Sequence, residues 1–371
     1  MVPEGWERST TGKSAKSYVP GRNKPKVFEG DIPWITTPEI SGRFVPALNH
    51  QLFVDEAEVK KAGGKIIPKN CVIFSCVGEL GIVTRNTVPV VVNQQLHAFE
   101  VKPEVDPEFF AYQLERAKPA MRALAATTTI PYLNKSNCEN LPIEIPPLAE
   151  QKKIAEVLST WDRAIEVAEA QLVCARTQKR ALMQQLLTGR RRFPEFEGQE
   201  WKEVRLGDVI DIHYGKSPKA ILEENGAFPV IGTGGVTGRT NTSMAEGPAL
   251  VIGRKGTIDC PQWVEGKFWC IDTTYFCQSK DSTDLRWIYA WINSVNLKVY
   301  NEASGVPSLS RETLRSIRLR LPPKDEQSKI ADAFAPCDAE ITSLESQITK
   351  LRTEKKALMQ QLLTGKRRVS V

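Results

Sequence analysis

The sequence predicts an α+β protein built twice over. Two α/β domains are joined by two long helices that pair as an antiparallel coiled coil, with pseudo-twofold symmetry. Three observations carry this expectation. A 47-residue segment occurs twice, 176 residues apart and without a gap, with 25 identical positions. Its apolar residues step by four and three in both copies. Short β-type runs alternate with helical stretches ahead of each copy, the pattern of α+β units.

The repeated segment reads as one helix. "PPLAEQKKIAEVLSTWDRAIEVAEAQLVCARTQKRALMQQLLTGRRR" begins at Pro146 and "PPKDEQSKIADAFAPCDAEITSLESQITKLRTEKKALMQQLLTGKRR" at Pro322; Ala181–Gly189 recurs unchanged as Ala357–Gly365. Repeats of 20 to 50 residues build solenoids, so a period this long means a duplicated domain. Pro-Pro stands at the start, with Glu150, or Asp325 and Glu326, in or near the first turn. Gly189 or Gly365 follows the last turn, and Lys and Arg come next, where the negative end of the dipole favours them. The first seam runs Ile154, Leu158, Trp161, Ile165, Ala168, Leu172, Ala175, Lys179, Leu182, Leu186. The second runs Ile330, Phe334, Cys337, Ile341, Leu344, Ile348, Leu351, Lys355, Leu358, Leu362. So narrow a stripe is a coiled-coil seam. Lys179 and Lys355 fall at the same place in each; either they snorkel past the seam or they mark a layer where it is interrupted.

Two helices that each need a partner pair most simply with each other. About 42 residues make a rod of roughly 60 Å. The connection from Arg190 to Trp201 reaches at most ~40 Å, so a parallel pairing is awkward and an antiparallel one is expected, giving a dumbbell. The domain boundaries that follow are 1–147 for the first domain, 148–195 for the central helix, 196–323 for the second domain and 324–371 for the C-terminal helix.

The two domains have diverged, yet a skeleton is shared. "GDIPWITTPEISGRF" from Gly30 lines up with "GAFPVIGTGGVTGRT" from Gly226, including Gly42-Arg43 against Gly238-Arg239. "VIFSCVGELG" from Val72 corresponds to "LVIGRKGTID" from Leu250, and "TTTIPYLNKSN" from Thr127 to "ASGVPSLSRET" from Ala303.

Composition is that of a folded protein long enough for two domains. The net charge of +6 and a pI near 8.8 permit a nucleic-acid partner without requiring one. The eight cysteines form no CxxC pair, and His50, His97 and His213 lie far apart, so free thiols in a reducing cytoplasm are expected and no metal site is. The first ten residues do not read as a signal peptide, and no apolar run approaches the ~18 residues of a membrane span. The expectation is a cytoplasmic protein without a membrane partner.

No catalytic constellation is legible. "GKS" at Gly12 and Gly215 lacks the glycine a P-loop needs five residues earlier, where Glu7 and Ile210 stand. No dinucleotide fingerprint follows a strand, "GTGG" at Gly232 is a lone cluster, and no carboxylate pair suits a metal-dependent nuclease. Basic, polar loops are present instead. Residues 11–26, "TGKSAKSYVPGRNKPK", carry five cations and no acid, and the second half echoes them with "HYGKSPK" and "GRKGT". Such loops suit phosphates and base edges. The candidate DNA-binding residues are Lys13, Lys16, Arg22, Lys24, Thr36, Arg43 and Thr128 in the first half. In the second half they are Lys216, Lys219, Thr233, Arg239, Arg254, Lys255 and Ser304.

With the duplicated "PPLAEQKKIAEVLS…LMQQLLTG" element in place, the chain closely resembles, over its whole length, the DNA-specificity subunit of type I restriction–modification enzymes. The resemblance implies two target-recognition domains, each reading one half of a bipartite site in double-stranded DNA. It implies a non-catalytic chain with no cofactor of its own, whose helices act as a spacer and dock two methyltransferase subunits. Motor-nuclease restriction subunits would join, and the partners would hold S-adenosylmethionine, ATP and Mg2+. Competing readings are the specificity module of another restriction–modification class and a coiled-coil protein that tethers DNA.

Overall fold

The computed structural model describes residues 3–21, 23–40, 42–126, 130–280 and 283–370. The chain divides into two compact units, Met1–Ala168 with Gln347–Val371, and Glu169–Ser346. Each unit thus unites one globule with the first part of one long helix and the last part of the other.

In the first unit, β1 (Glu7–Thr10), α1 (Thr11–Ser14), β2 (Ala15–Tyr18), β3 (Ile32–Ile35), β4 (Phe44–Val45), β5 (Phe53–Val54) and α2 (Glu56–Lys61) are followed by β6 (Val72–Ser75), β7 (Val83–Asn86), β8 (Val91–Val92) and β9 (Leu96–Val101). Helices α3 (Pro107–Arg116), α4 (Lys118–Leu124) and α5 (Lys135–Glu139) then lead to β10 (Pro142–Ile145) and the long helix α6 (Leu148–Leu186). The main sheet has the order β2-β9-β6-β7-β4, beside a smaller β5-β3-β8 sheet and the β1-β10 pair. Strand β6 is buried along its whole length, which is why "VIFS" carries no alternation. Helix α3 lays Phe110, Ala111 and Leu114 against that sheet.

The second unit repeats the plan with β11 (Lys202–Arg205), α7 (Leu206–Val209), β12 (Ile210–Tyr214), β13 (Phe228–Gly232), β14 (Gly235–Thr240), β15 (Ala245–Glu246), β16 (Ala249–Gly253), β17 (Gln262–Val264), β18 (Lys267–Cys270) and β19 (Thr274–Ser279). Helices α8 (Leu285–Ser294) and α9 (Arg311–Ser316), strand β20 (Arg318–Leu321) and the long helix α10 (Lys324–Leu362) complete it. Its sheets run β12-β19-β16-β17, β14-β13-β18-β15 and β11-β20. Apart from β4 and β15, which have no counterpart, these match the first unit strand by strand. Val72 of β6 faces Phe99 of β9 as Leu250 of β16 faces Cys277 of β19. Asn134 and Ser310, 176 positions apart, cap α5 and α9 by accepting the amide hydrogens of Asn137 and Thr313. Gly30 and Gly226 also correspond: a Cβ on either would run into the backbone of Val54 or Thr240 at under 2.5 Å.

Two of the sequence alignments do not survive. Gly42-Arg43 and Gly238-Arg239 are not equivalent, because Arg43 leads into β4, which pairs parallel with β7, whereas Arg239 lies on β14, antiparallel to β13. The real counterpart of β14 is β5, so the first unit holds an insertion that builds β4. The two "GKS" triplets also occupy different places. Gly12–Ser14 is in α1, whose counterpart is α7, while Gly215–Ser217 follows β12. A three-residue match between small, loop-favouring residues carries too little information to fix a register.

Helices α6 and α10 each span 39 residues, about 58 Å. Within both units the start of one runs antiparallel to the end of the other. In the first unit Ile154 and Leu158 share a core with Leu362 and Leu363; in the second, Ile330 and Phe334 share one with Leu186 and Leu187. All fifteen apolar seam residues other than Ala168, Ala175 and Cys337, from Ile154 to Leu186 and from Ile330 to Leu362, are buried or half-buried. Pro336 stands inside α10 on an exposed position without ending it. Gly189 and Gly365 adopt φ near +70° just past each helix, the left-handed stop expected there. Among the described residues no helix is long and apolar enough to cross a membrane, and all eight cysteines are free thiols.

Candidate nucleic-acid interface

The duplicated Glu-Gln pair at the start of each long helix ties the globule of its unit to both helices. In the first unit the buried Glu150 carboxylate receives two hydrogen bonds from the Arg368 guanidinium, at 2.6 and 2.8 Å, and one from the Trp6 indole at 3.2 Å. In the second, Glu326 receives the same three from Arg192, at 2.9 and 2.6 Å, and Trp201, at 2.9 Å. Arginine and tryptophan thus tie the end of one helix and the first strand of the globule to the other helix's first turn. The neighbouring glutamine does the second task. Gln151 accepts from the Asp106 amide and donates to the Pro146 carbonyl; Gln327 accepts from the Asp284 amide and donates to the Pro322 carbonyl. Asp106 and Asp284 are the N-caps of α3 and α8. The repeated "PPxxEQ" and "LLTGxRR" are therefore the two halves of one clamp, made twice.

In the first unit the candidate residues separate into internal and exposed groups. Arg43 is internal: its guanidinium pairs with Glu108 and Glu115 and lies 4.0 Å from the centre of the Tyr112 ring. Burial opposes its charge, but Glu115, Tyr112 and Glu108 together hold its pKa above the ordinary arginine value. Thr36 is also committed, its amide and hydroxyl both donating to Glu39 as a capping box. Lys13 is exposed on α1. Lys16 lies 3.4 Å from Glu100 and over Tyr18, and Lys24 lies over Phe28. Arg22 and Thr128 fall outside the described residues.

The second unit brings its candidates closer together. Strand β12 ends at Tyr214, and Gly215 lets the chain turn where a Cβ would sit 2.0 Å from the Ile271 carbonyl. The Lys216 amide then donates to Cys270 and its carbonyl accepts from the Trp269 indole at 2.8 Å. The loop after β16 is pinned to the same turn, Arg254 and Lys255 both donating to the Thr273 carbonyl at 2.8 and 3.2 Å. A third loop joins them through Gly256 to Pro307 and Leu309 to Arg254. The Tyr214 ring, 44% exposed, is flanked by two guanidinium groups, Arg254 at 5.4 Å and Arg311 at 4.9 Å. Lys216, Lys255 and Ser304 are exposed on these loops, and among the described residues no ion pair holds Lys216, Arg254 or Lys255. Thr233 is half-buried in the β13–β14 hairpin, which is what "GTGG" builds; Lys219 is exposed. Arg239 is occupied with its own backbone, donating to the Gly226 and Ala227 carbonyls at 2.6 and 2.9 Å.

Two members of this cluster, Tyr214 and Arg311, were missed in the sequence. Tyr214 directly precedes "GKS", and Arg311 follows the Ser310 cap of α9, both in segments otherwise read for their small polar residues. Among the described residues no three His, Cys, Asp or Glu side chains gather so as to hold a metal ion.

A family model described as "Type I restriction modification DNA specificity domain" matches residues 4–173 and again 198–352. Among curated proteins the chain is similar to the type I restriction enzyme MjaVIII specificity subunit of Methanocaldococcus jannaschii, 25% identical over 99% of this chain and 94% of the relative. It is also similar to the EcoprrI specificity subunit of Escherichia coli, 22% identical over 91% and 87%. The fold is similar to that of the type I S subunit from M. genitalium, with a TM-score of 0.66 at 18% identity, covering 98% of this chain and 96% of that one.

Proposed function

This chain belongs to the family of type I restriction–modification DNA specificity subunits, and from that premise we propose that it reads a bipartite site in double-stranded DNA, one half by each unit. The observation that carries this reading is the double match: each matched segment contains one globule and the Glu-Gln pair that opens its long helix. The chain itself performs no chemistry in this reading. Two methyltransferase subunits dock on α6 and α10, motor-nuclease subunits join for restriction, and S-adenosylmethionine, ATP and Mg2+ reside on those partners in the cytoplasm. A tether without sequence preference is disfavoured by the Tyr214 cluster, since non-specific binding needs only loose cations.

The test is an electrophoretic shift with the purified chain, alone and with its cognate methyltransferase subunits, followed by sequencing of the adenines methylated in cells. A split motif dependent on this chain is expected. Methyl transfer by the rigorously purified chain alone would show that the subunit is not a passive reader.

A further inference from the structure

Arginine has two fates in this protein, and the second unit shows the one that matters for recognition. Arg43 lies over Tyr112 but is held between the carboxylates of Glu108 and Glu115. Arg254 and Arg311 lie over Tyr214 with no carboxylate that close. The Arg254 side chain reaches neutral oxygens, the Asp272 carbonyl at 3.4 Å and the Tyr275 hydroxyl, and among the described residues no ion pair holds it. Arg311 approaches Glu312 at 3.7 Å, and its Nε is enclosed with no hydrogen-bond partner. Behind them the surface is fixed. Tyr275, directly opposite Tyr214 in the β12–β19 pair, donates to the Leu309 carbonyl at 3.1 Å and so ties the strand to the segment that leads into α9 and its first residue, Arg311.

Such an arrangement is more than a phosphate contact requires. A phosphate accepts a mobile lysine from many directions, whereas a base edge needs a planar donor pair held at a defined angle. Stacking on an aromatic face fixes the guanidinium plane while leaving its donors free. Lys216 and Lys255, exposed on the flanking loops, suit the phosphates on either side.

We propose that the Arg254–Tyr214–Arg311 stack is the base-reading device of the second unit, and that its arginines recognise guanine by donating to O6 and N7 in the major groove. The inference rests on the DNA-specificity reading above and names the residues and the base. Guanine is the base whose major-groove edge offers two acceptors side by side, matching the guanidinium fork.

The experiment uses the full chain with its cognate methyltransferase subunits and a pool of duplexes randomised around the methylated motif, bound molecules being sequenced. Arg254→Lys and Arg311→Lys keep the charge and remove the fork. The expected result is that preference for guanine at a position in one half-site falls at least tenfold, while every base of the other half-site stays as selective as before. Tyr214→Phe should retain the preference and Tyr214→Leu should lose it, which reports the stack independently of either arginine; thermal melts confirm that each variant is folded. Uniform weakening across all sequences with a shallower salt dependence would reduce the arginines to phosphate contacts and overturn the proposal, as would an unchanged motif. A wild-type complex that selects no motif defeats the broader reading instead, and is recognised because it precedes any mutation.

Discussion

His97 shows how a single buried group ties this fold to pH. Its ring is 2% exposed, sits between Phe74 and Phe99, and shares a 2.7 Å hydrogen bond with Ser17. Burial, with Lys135 adding to it, pushes the pKa from 6.5 down to about 4. Between those values the unfolded chain takes up a proton that the folded chain excludes. Stability present above pH 6.5 is therefore lost as pH falls toward 4, by up to about 3 kcal/mol. Denaturant unfolding at pH 7 and 4.5 should show a steeper loss for the native chain than for His97→Gln; equal slopes would refute this assignment. Arg43 provides a second test at the same scale. Arg43→Ala removes one of two cations from each of two shielded carboxylates, Arg85 still pairing with Glu108 and Lys355 with Glu115, and should cost about 1–3 kcal/mol. Lys219→Ala, at an exposed position, should stay within about 0.5 kcal/mol.

At the scale of the element, the lysine in each seam is neither idle nor a gap. In the first unit Lys355 reaches Asp162 at 2.5 Å and Glu115 at 3.6 Å; in the second, Lys179 pairs with Asp338. Asp162 and Asp338 lie 176 positions apart, as the lysines do, so each helix offers one cation and one anion to the other. A parallel pairing or a one-heptad slip would separate these charges, which makes them devices for orientation and register. A double-mutant cycle on Lys355→Met and Asp162→Asn should give a coupling of about 1 kcal/mol or more in denaturant unfolding. Additive losses would mean that the lysine only snorkels. The Glu-Gln clamp is a stronger constraint: Glu326 is fully buried against Arg192 and Trp201, and Glu326→Ala should lower stability by about 3–5 kcal/mol. The two units also differ at one element. Where α3 carries Tyr112 and Glu115, α8 carries Ala290 and Asn293, counted from their Asp caps. Ala290 and Asn293 line an open cavity of about 930 Å³ together with Trp263, Tyr289, Phe334 and Met183.

For the whole molecule, α6 and α10 each contribute residues to both units, and in the bipartite reading proposed above their length sets the spacing of the two half-sites. Removing one heptad from each helix preserves the seam and shortens each by about 10 Å, or roughly three base pairs. Methylation-site sequencing of cells carrying the shortened subunit should find the same bases in both halves with about three fewer unspecified bases between them. Sites at the original spacing would show that the helices are not the ruler.

The duplication, the two long helices, their seams and part of the skeleton shared by the two domains were legible in the sequence. These are local or periodic properties: helix stops, heptads and an ungapped repeat are written in consecutive residues, and packing follows from them. The proposed recognition surface was legible only in part. Lys216, Arg254 and Lys255 announced themselves as cations in polar loops, but so did Arg43, which the fold turns inward on carboxylates, and Arg239, which stays at the surface bound to backbone carbonyls. Tyr214 and Arg311 gave no comparable signal. Whether an arginine is saturated or available depends on which carboxylate lies within about 4 Å of it. Residues 65 and 72 positions away in sequence decided that for Arg43; for Arg254 it was decided by the stacking ring 40 positions before it. Such proximity is a product of chain topology, and only the tertiary structure contains it.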